Sequence, residues 1–251
     1  MRATLNDLWS DFLHALQFLT RLPVDRWIEF DPSALPRCVL WFPLVGGVVG
    51  LVGGLAFAVS SILAGVPWGV AVLIAILTIV AVTGGLHEDG LADAADGLCG
   101  HATRERALEI MRDSRTGAYG IIALIFAFAF RFEALRTLGS GLEIARVLIA
   151  AGVVSRAAAV FLLSTAPNVR PDSTKSGPFA AGLPPAKLAW CLGLSALSAL
   201  VVLGFRPGPV VLAALVTLAV REFFMRRLGG ITGDCLGATI VLTEIAVLVG
   251  R

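Results

Sequence analysis

The sequence is short of what lets a protein face water. Charged residues make up 15% of its 251 residues, against about 25% in an ordinary soluble domain. It has one tyrosine, and of its 20 basic residues only Lys175 and Lys187 are lysine. A chain so poor in charge cannot cover itself with polar surface, which excludes an ordinary soluble enzyme and a disordered segment. Net charge is +2, so there is no basic patch of the kind that holds a polyanion, and no nucleic acid is expected as partner. The four cysteines, Cys38, Cys99, Cys191 and Cys235, form no Cys-x-x-Cys pair. They read as small buried hydrophobes and not as a zinc or disulfide framework. Nor does the N-terminus read as a cleavable signal, because Asp7, Asp11 and His14 interrupt the apolar core it would need.

What is abundant is apolar. Hydrophobic residues are 57% of the chain and mean hydropathy is +0.86. A membrane span needs about 20 predominantly apolar residues, and the sequence predicts them at 38–63, 66–84, 117–137, 144–165, 188–205, 208–225 and 236–250. No alternating ten-residue pattern of a membrane barrel appears. The fold expected is therefore all-α, a polytopic helical membrane protein with about seven transmembrane helices, in a single domain over 1–251. Ahead of the spans, Leu5, Leu8, Trp9, Phe12, Leu13, Leu16 and Leu19 recur at helical spacing. That predicts an amphipathic helix within 1–22, either lying in the membrane interface or packed against the rest of the protein.

Polar islands at 86–116, 166–187 and 226–235 fall on one side if the spans alternate. Fourteen basic residues lie on that side; the other has Arg136, Arg206 and Arg251, with Arg131, Arg146 and Arg156 inside spans. The excess predicts that the islands face the cytoplasm.

The chemistry concentrates in the first island. It reads Gly-Gly-Leu-His-Glu-Asp-Gly-Leu-Ala-Asp-Ala-Ala-Asp-Gly from Gly84 to Gly97. If helical, Asp89, Asp93 and Asp96 share an arc of roughly 60° and climb ~10 Å. Like charges at this spacing repel, so the stripe implies a cation, and oxygen-only ligands favour Mg2+ or Mn2+. Glu109 and Asp113 repeat the spacing on a second short helix beginning at Arg104. The turn between them is short enough to set the two helices side by side, with four or five carboxylates across a groove. Such a groove suits one or two divalent ions bridging a diphosphate. Gly90 and Gly97 are expected to let phosphates approach, and Arg112 and Arg115 to counter their charge. His87 is a candidate substrate contact or a capping residue, and Asp234, in a Gly-rich turn, a candidate for ordering the site or touching substrate. Arg156, a charge inside a span, needs a partner, Glu244 or Glu133.

These residues carry a specific resemblance. The run from Gly84 to Gly97, then Leu108-Glu-Ile-Met-Arg-Asp-Ser-Arg115 followed by Gly117 and Gly120, resembles the cobalamin synthases, the adenosylcobinamide-GDP ribazoletransferases. Phe18-Leu-Thr-Arg-Leu-Pro23, Phe42-Pro-Leu-Val-Gly46, Ser155-Arg156 and Thr232-Gly-Asp-Cys-Leu-Gly-Ala238 resemble further signatures of that family, in the same order. Glu88 departs from it, standing where many members have Leu, and either joins the metal shell or faces water.

The resemblance implies attack of a hydroxyl of α-ribazole, or of its 5′-phosphate, on the cobinamide-linked phosphorus of adenosylcobinamide-GDP, with release of GMP, Mg2+ as cofactor and a bacterial inner-membrane location. It places Asp89, Asp93, Asp96, Glu109 and Asp113 at the metal, with Asp93 and Asp113 catalytic. His87, Glu88, Arg112, Ser114, Arg115 and Asp234 are placed at substrate. A homo-oligomer and docking of other cobalamin-assembly enzymes stay open. The acid spacing is also similar to that of the CDP-alcohol phosphotransferases. A CDP-alcohol phosphotransferase or an Asp-rich, Mg2+-dependent membrane prenyltransferase is the alternative within the same chemistry. A cation transporter is the alternative outside it, but it would place acids at mid-membrane and repeat its halves.

Overall fold

The computed structural model describes residues 5–63, 65–100, 103–113, 115–170, 179 and 182–251. These form helices α1 (Leu5–Leu19), α2 (Leu35–Cys38), α3 (Phe42–Ala58), α4 (Trp68–Thr83), α5 (Leu86–Leu98) and α6 (Arg104–Ile110). Then follow α7 (Ala118–Arg136), α8 (Gly141–Thr165), α9 (Pro185–Val202), α10 (Gly208–Leu228) and α11 (Gly233–Val249). No named strand occurs among the described residues; one isolated bridge joins Asn168 to Ile231.

Five helical stretches are long and apolar enough to cross a membrane: Pro32–Ile62, Ala118–Arg136, Gly141–Thr165, Pro185–Val202 and Gly208–Leu228. Two of the seven expected spans behave differently. The segment at 66–84 continues into α5 at an angle of 87°, so that α4 and α5 pass the length and apolarity test only together, as a bent pair: a broken sixth span or a re-entrant loop. The last segment, α11, has 17 residues, about 25 Å at 1.5 Å per residue, less than the ~30 Å hydrocarbon core. It lies inside the bundle, packed on α5, α7, α8 and α10.

The break between α4 and α5 has a local cause. Gly84 and Gly85 both adopt left-handed conformations, φ +66° and +69°, which cost a glycine little and other residues much. Gly84 and Gly85 donate to the carbonyls of Ala81 and Val80, a Schellman closure that ends α4 and frees the chain to turn. The bundle itself is held by glycine contacts. A Cβ on Gly46 of α3 would lie 2.0 Å from the Gly152 oxygen of α8, and one on Gly50 would lie 2.3 Å from that of Leu148. Small residues at this spacing let membrane helices meet backbone to backbone. Large apolar side chains such as Leu51, Leu77, Ile125, Trp190 and Leu215 point outward, as lipid-facing residues do.

The N-terminal helix packs against the bundle. Leu13, Ala15, Leu16 and Leu19 are buried in the same core as Phe42 and Val45 of α3. Asp11 pairs with Arg37 at 3.1 Å, and His14 Nε2 accepts the Asp31 N–H at 3.0 Å. Leu8 and Trp9, in the first turns, remain exposed. All four cysteines are free, and Cys38, Cys191 and Cys235 are buried.

Candidate active site

The site is built on α5, which runs back along α7. Glu88, near its start, meets Arg131 well inside α7, whereas Asp96, near its end, receives the N–H groups of Gly117 and Gly120 at the α7 N-terminus, at 2.7 and 2.9 Å. Asp96 therefore satisfies donors that a helix start leaves open. The two glycines leave room for that carboxylate, since a Cβ on Gly117 or Gly120 would lie 2.6 or 2.4 Å from an Asp96 oxygen and would displace it. Each carboxylate oxygen has a second lone pair, so this anchoring leaves acceptor capacity on Asp96. Asp93 is half-buried and Asp89 exposed on the same face of α5.

Other expectations for this island are corrected. Gly90 faces α11, not a phosphate: a Cβ there would lie 2.9 Å from the Asp234 carbonyl and 3.1 Å from Gly237 Cα. Gly97 faces α6, where a Cβ would lie 2.5 Å from Met111 Cγ. Both glycines let helices cross closely. Among the described residues no three acidic, His or Cys side chains converge as metal ligands. The acids of this segment are engaged locally instead: Glu109 of α6 pairs with Arg106 at 2.9 Å, and Asp113, which lies past the end of α6 and not on the helix expected to carry it, pairs with Arg115 at 2.6 Å. The Asp113 carboxyl is drawn down to about 2, chiefly by the Arg115 side-chain hydrogen bond, which makes it a weak proton acceptor. The same pair raises the Arg115 guanidinium further. Arg112 is exposed, and no charged partner is found for its guanidinium among the described residues. Ser114 lies outside the described residues.

Glu88 and His87 turn inward. The residue before Asp89 is rotated by about 100° on a helix, which takes it off the acid stripe and into the bundle. Glu88 meets Arg131 at 2.6 Å, Arg131 reaches Glu244 at 2.5 Å, and Glu244 also pairs with Arg156, whose side chain is 1% exposed. Glu88 thus joins neither a metal shell nor water. Of the two partners expected for Arg156 the structure selects Glu244; Glu133 pairs with Arg136 at 2.7 Å. His87 Nδ1 lies 3.3 Å from Arg156 Nη2. The His87 ring lines a cavity of about 50 Å3 with Phe18, Phe42, Gly90 and Asp234. That holds a few waters at most, and the His87 ring sits there as a buried neighbour of the ion network.

Asp234 lies in the first turn of α11. Thr232 is the α11 N-cap, accepting from the Cys235 N–H, while Asp234 is paired with Arg170 at 3.1 Å. Arg170 also donates to the Leu108 carbonyl of α6 at 2.5 Å, so one guanidinium ties α6 to α11. Sequence reasoning gave Arg170 no role. Its signal was a lone arginine in the second polar island, beside the Asn168–Ile231 bridge that sets it opposite the α11 start.

The comparisons with known proteins agree with the motif order. A family model described as cobalamin-5-phosphate synthase matches residues 11–251. The chain belongs to that family. It is 38% identical over 252 residues to a protein of Bradyrhizobium diazoefficiens, covering 98% of this chain and 94% of that one. A Leptothrix cholodnii protein is 41% identical over 249 residues, covering 95% and 93%, and one from Sinorhizobium medicae is 40% identical, covering 97% and 96%. All three are named adenosylcobinamide-GDP ribazoletransferase. No solved structure matches.

Proposed function

We propose that this membrane protein is an adenosylcobinamide-GDP ribazoletransferase, catalysing a late step of cobalamin biosynthesis. The observation that carries the reading is the family match over nearly the whole chain, joined to an acid face on α5 in which Asp89 and Asp93 stand one helical turn apart beside the anchored Asp96. In the reaction, a hydroxyl oxygen of α-ribazole, or of its 5′-phosphate, bonds to the cobinamide-linked phosphorus. The bond from that phosphorus to the bridging oxygen breaks, the electron pair leaves with GMP, and the hydroxyl proton passes to a base.

The donor chemistry suits a hard divalent cation, oxygen from carboxylates alone with Asp89 and Asp93 one turn apart on α5, although no three such side chains converge on one point among the described residues. Mg2+ held there would neutralise diphosphate charge and favour departure of GMP. The chain's own residues do the rest. Arg112, whose guanidinium has no charged partner among the described residues, contacts a phosphate oxygen as a charge-assisted donor. Asp113 is a poor acceptor for that proton, because Arg115 holds it down at about 2 and a base works best near the operating pH, which leaves the task to the half-buried Asp93 on α5. The acid face looks toward the cytoplasm of the inner membrane, where the basic residues accumulate.

The test is GMP release from adenosylcobinamide-GDP and α-ribazole or its phosphate, by purified protein in lipid, with and without Mg2+. Metal-dependent release, lost in Asp93→Asn but not in a folded surface variant such as Glu133→Gln, is expected. A folded wild-type protein releasing no GMP from either acceptor would overturn the reading.

A further inference from the structure

At the end of the bundle opposite the acid face, the start of α8, the α9–α10 turn and the chain's last residue enclose a cavity of about 350 Å3, with Arg146, Arg206 and Arg251 in its wall. Arg146 and Arg206 have no ion-pair or hydrogen-bond partner for their side chains among the described residues. Arg251 is spent on the Leu248 and Ala134 carbonyls and the Thr137 hydroxyl. The one acid in the wall, Glu143, is turned back on its own helix, where its carboxylate accepts from the Gly139 N–H and its N–H donates to Ser140 Oγ. Three guanidiniums against that one side-chain carboxylate leave the cavity net positive. Arg206 follows a turn in which Gly204 and Phe205 both have positive φ, +68° and +60°. A non-glycine residue in that region is strained, and strain held in place marks sites with a task. Basic residues are also scarce at this end of the bundle, so the convergence of three on one cavity is not a by-product of local composition.

Below it, along the same three helices, lies a second cavity of about 250 Å3 whose wall is apolar: Ala157 and Phe161 of α8, Leu192 and Ala196 of α9, Ala214 and Leu218 of α10. It forms because α9 packs on α8 and scarcely touches α10. Val210, in its wall, is next in sequence to Pro209 in the wall of the cationic cavity. A cationic mouth above an apolar cleft has the amphiphilic outline of a membrane lipid.

We propose that this composite site binds an anionic phospholipid of the leaflet opposite the acid face, its phosphate on Arg146 and Arg206 and an acyl chain between α8, α9 and α10. The apolar cleft selects lipid over a soluble anion, and the net positive mouth selects an anionic headgroup over a zwitterionic one.

The test uses the full-length protein purified in detergent, with native mass spectrometry and thermal unfolding. It is given phosphatidylglycerol or phosphatidylcholine of identical chains, or inorganic phosphate. Phosphatidylglycerol should be retained and raise the melting temperature, phosphatidylcholine should bind more weakly, and phosphate should do neither. Arg146→Gln and Arg206→Gln should each weaken phosphatidylglycerol binding roughly five-fold and phosphatidylcholine binding less, so that the preference between the two lipids narrows. Ala214→Phe, which fills the cleft, should reduce retention of both lipids. Equal binding of the two lipids, an undiminished phosphatidylglycerol preference in the double arginine variant, or stabilisation by phosphate equal to that by lipid would each overturn the proposal.

Discussion

Asp96 Oδ1 accepts the Gly120 N–H at 2.9 Å, and a Cβ on Gly120 would stand 2.4 Å from Oδ2 of the same carboxylate. The acid stripe and the first turn of α7 are thus one construction. Asp96→Ala removes the cap and should cost about 1 kcal/mol. Asp96→Asn keeps one acceptor but sets its NH2 against the other backbone N–H, so it should lose part of the cap's stability and, if the carboxylate charge serves the metal, all Mg2+-dependent turnover. Gly120→Ala should lower both, without touching an acid. Thermal unfolding run beside GMP release separates the three outcomes.

Glu244 carries two arginines, Arg131 and Arg156. Replacing it with Ala leaves guanidinium charge buried and short of a partner, and removal of one member of a buried pair typically costs about 3–5 kcal/mol. Glu133→Ala removes an exposed pair with Arg136 and should cost below about 1 kcal/mol. The comparison of the two variants in a denaturant titration checks the buried network against a surface pair.

Glycine substitutions should divide by location. Gly152→Ala drives a Cβ to 2.0 Å from the Gly46 oxygen, whereas a Cβ on Gly193, in α9, meets nothing within 4 Å. The first should strongly destabilise the protein. Gly193→Ala should stabilise it by up to about 1 kcal/mol, the helix preference of alanine over glycine. Melting temperatures in the same detergent are the readout.

Asp113 titrates in the folded protein near 2, below its ordinary 3.8. A depressed acid lends stability above its unfolded value and loses it as pH falls through the folded one, so the Asp113–Arg115 pair should persist to well below pH 3.8. Arg115→Gln should bring the carboxyl back up toward 3.8. Carboxyl-carbon NMR of labelled aspartate measures both.

Long apolar runs made most of the fold legible in the sequence, because a bilayer admits little besides helices there. The 87° turn after α4 was not legible: Gly84-Gly85 permits a helix end as readily as a flexible flank, and only the hydrogen bonds from Gly84 and Gly85 distinguish them. The face shared by Asp89, Asp93 and Asp96 followed from helical periodicity. What Gly90 and Gly97 accommodate did not, since a glycine signals close approach without naming what approaches. Glu88 and Arg131 are 43 residues apart in sequence, and no local pattern pairs them.

The ion network also has a direction in time. Glu244 lies in α11, made after α7 and α8 have left the ribosome with Arg131 and Arg156 aboard. A lone arginine at mid-helix costs about 2.5–3.5 kcal/mol on insertion. Glu88 is already present for Arg131, but the carboxylate that answers Arg156 arrives last. Entry of α11 is therefore the moment at which Arg156 gains its counter-charge, and a chain that fails to seat α11 leaves a buried arginine on α8 unanswered.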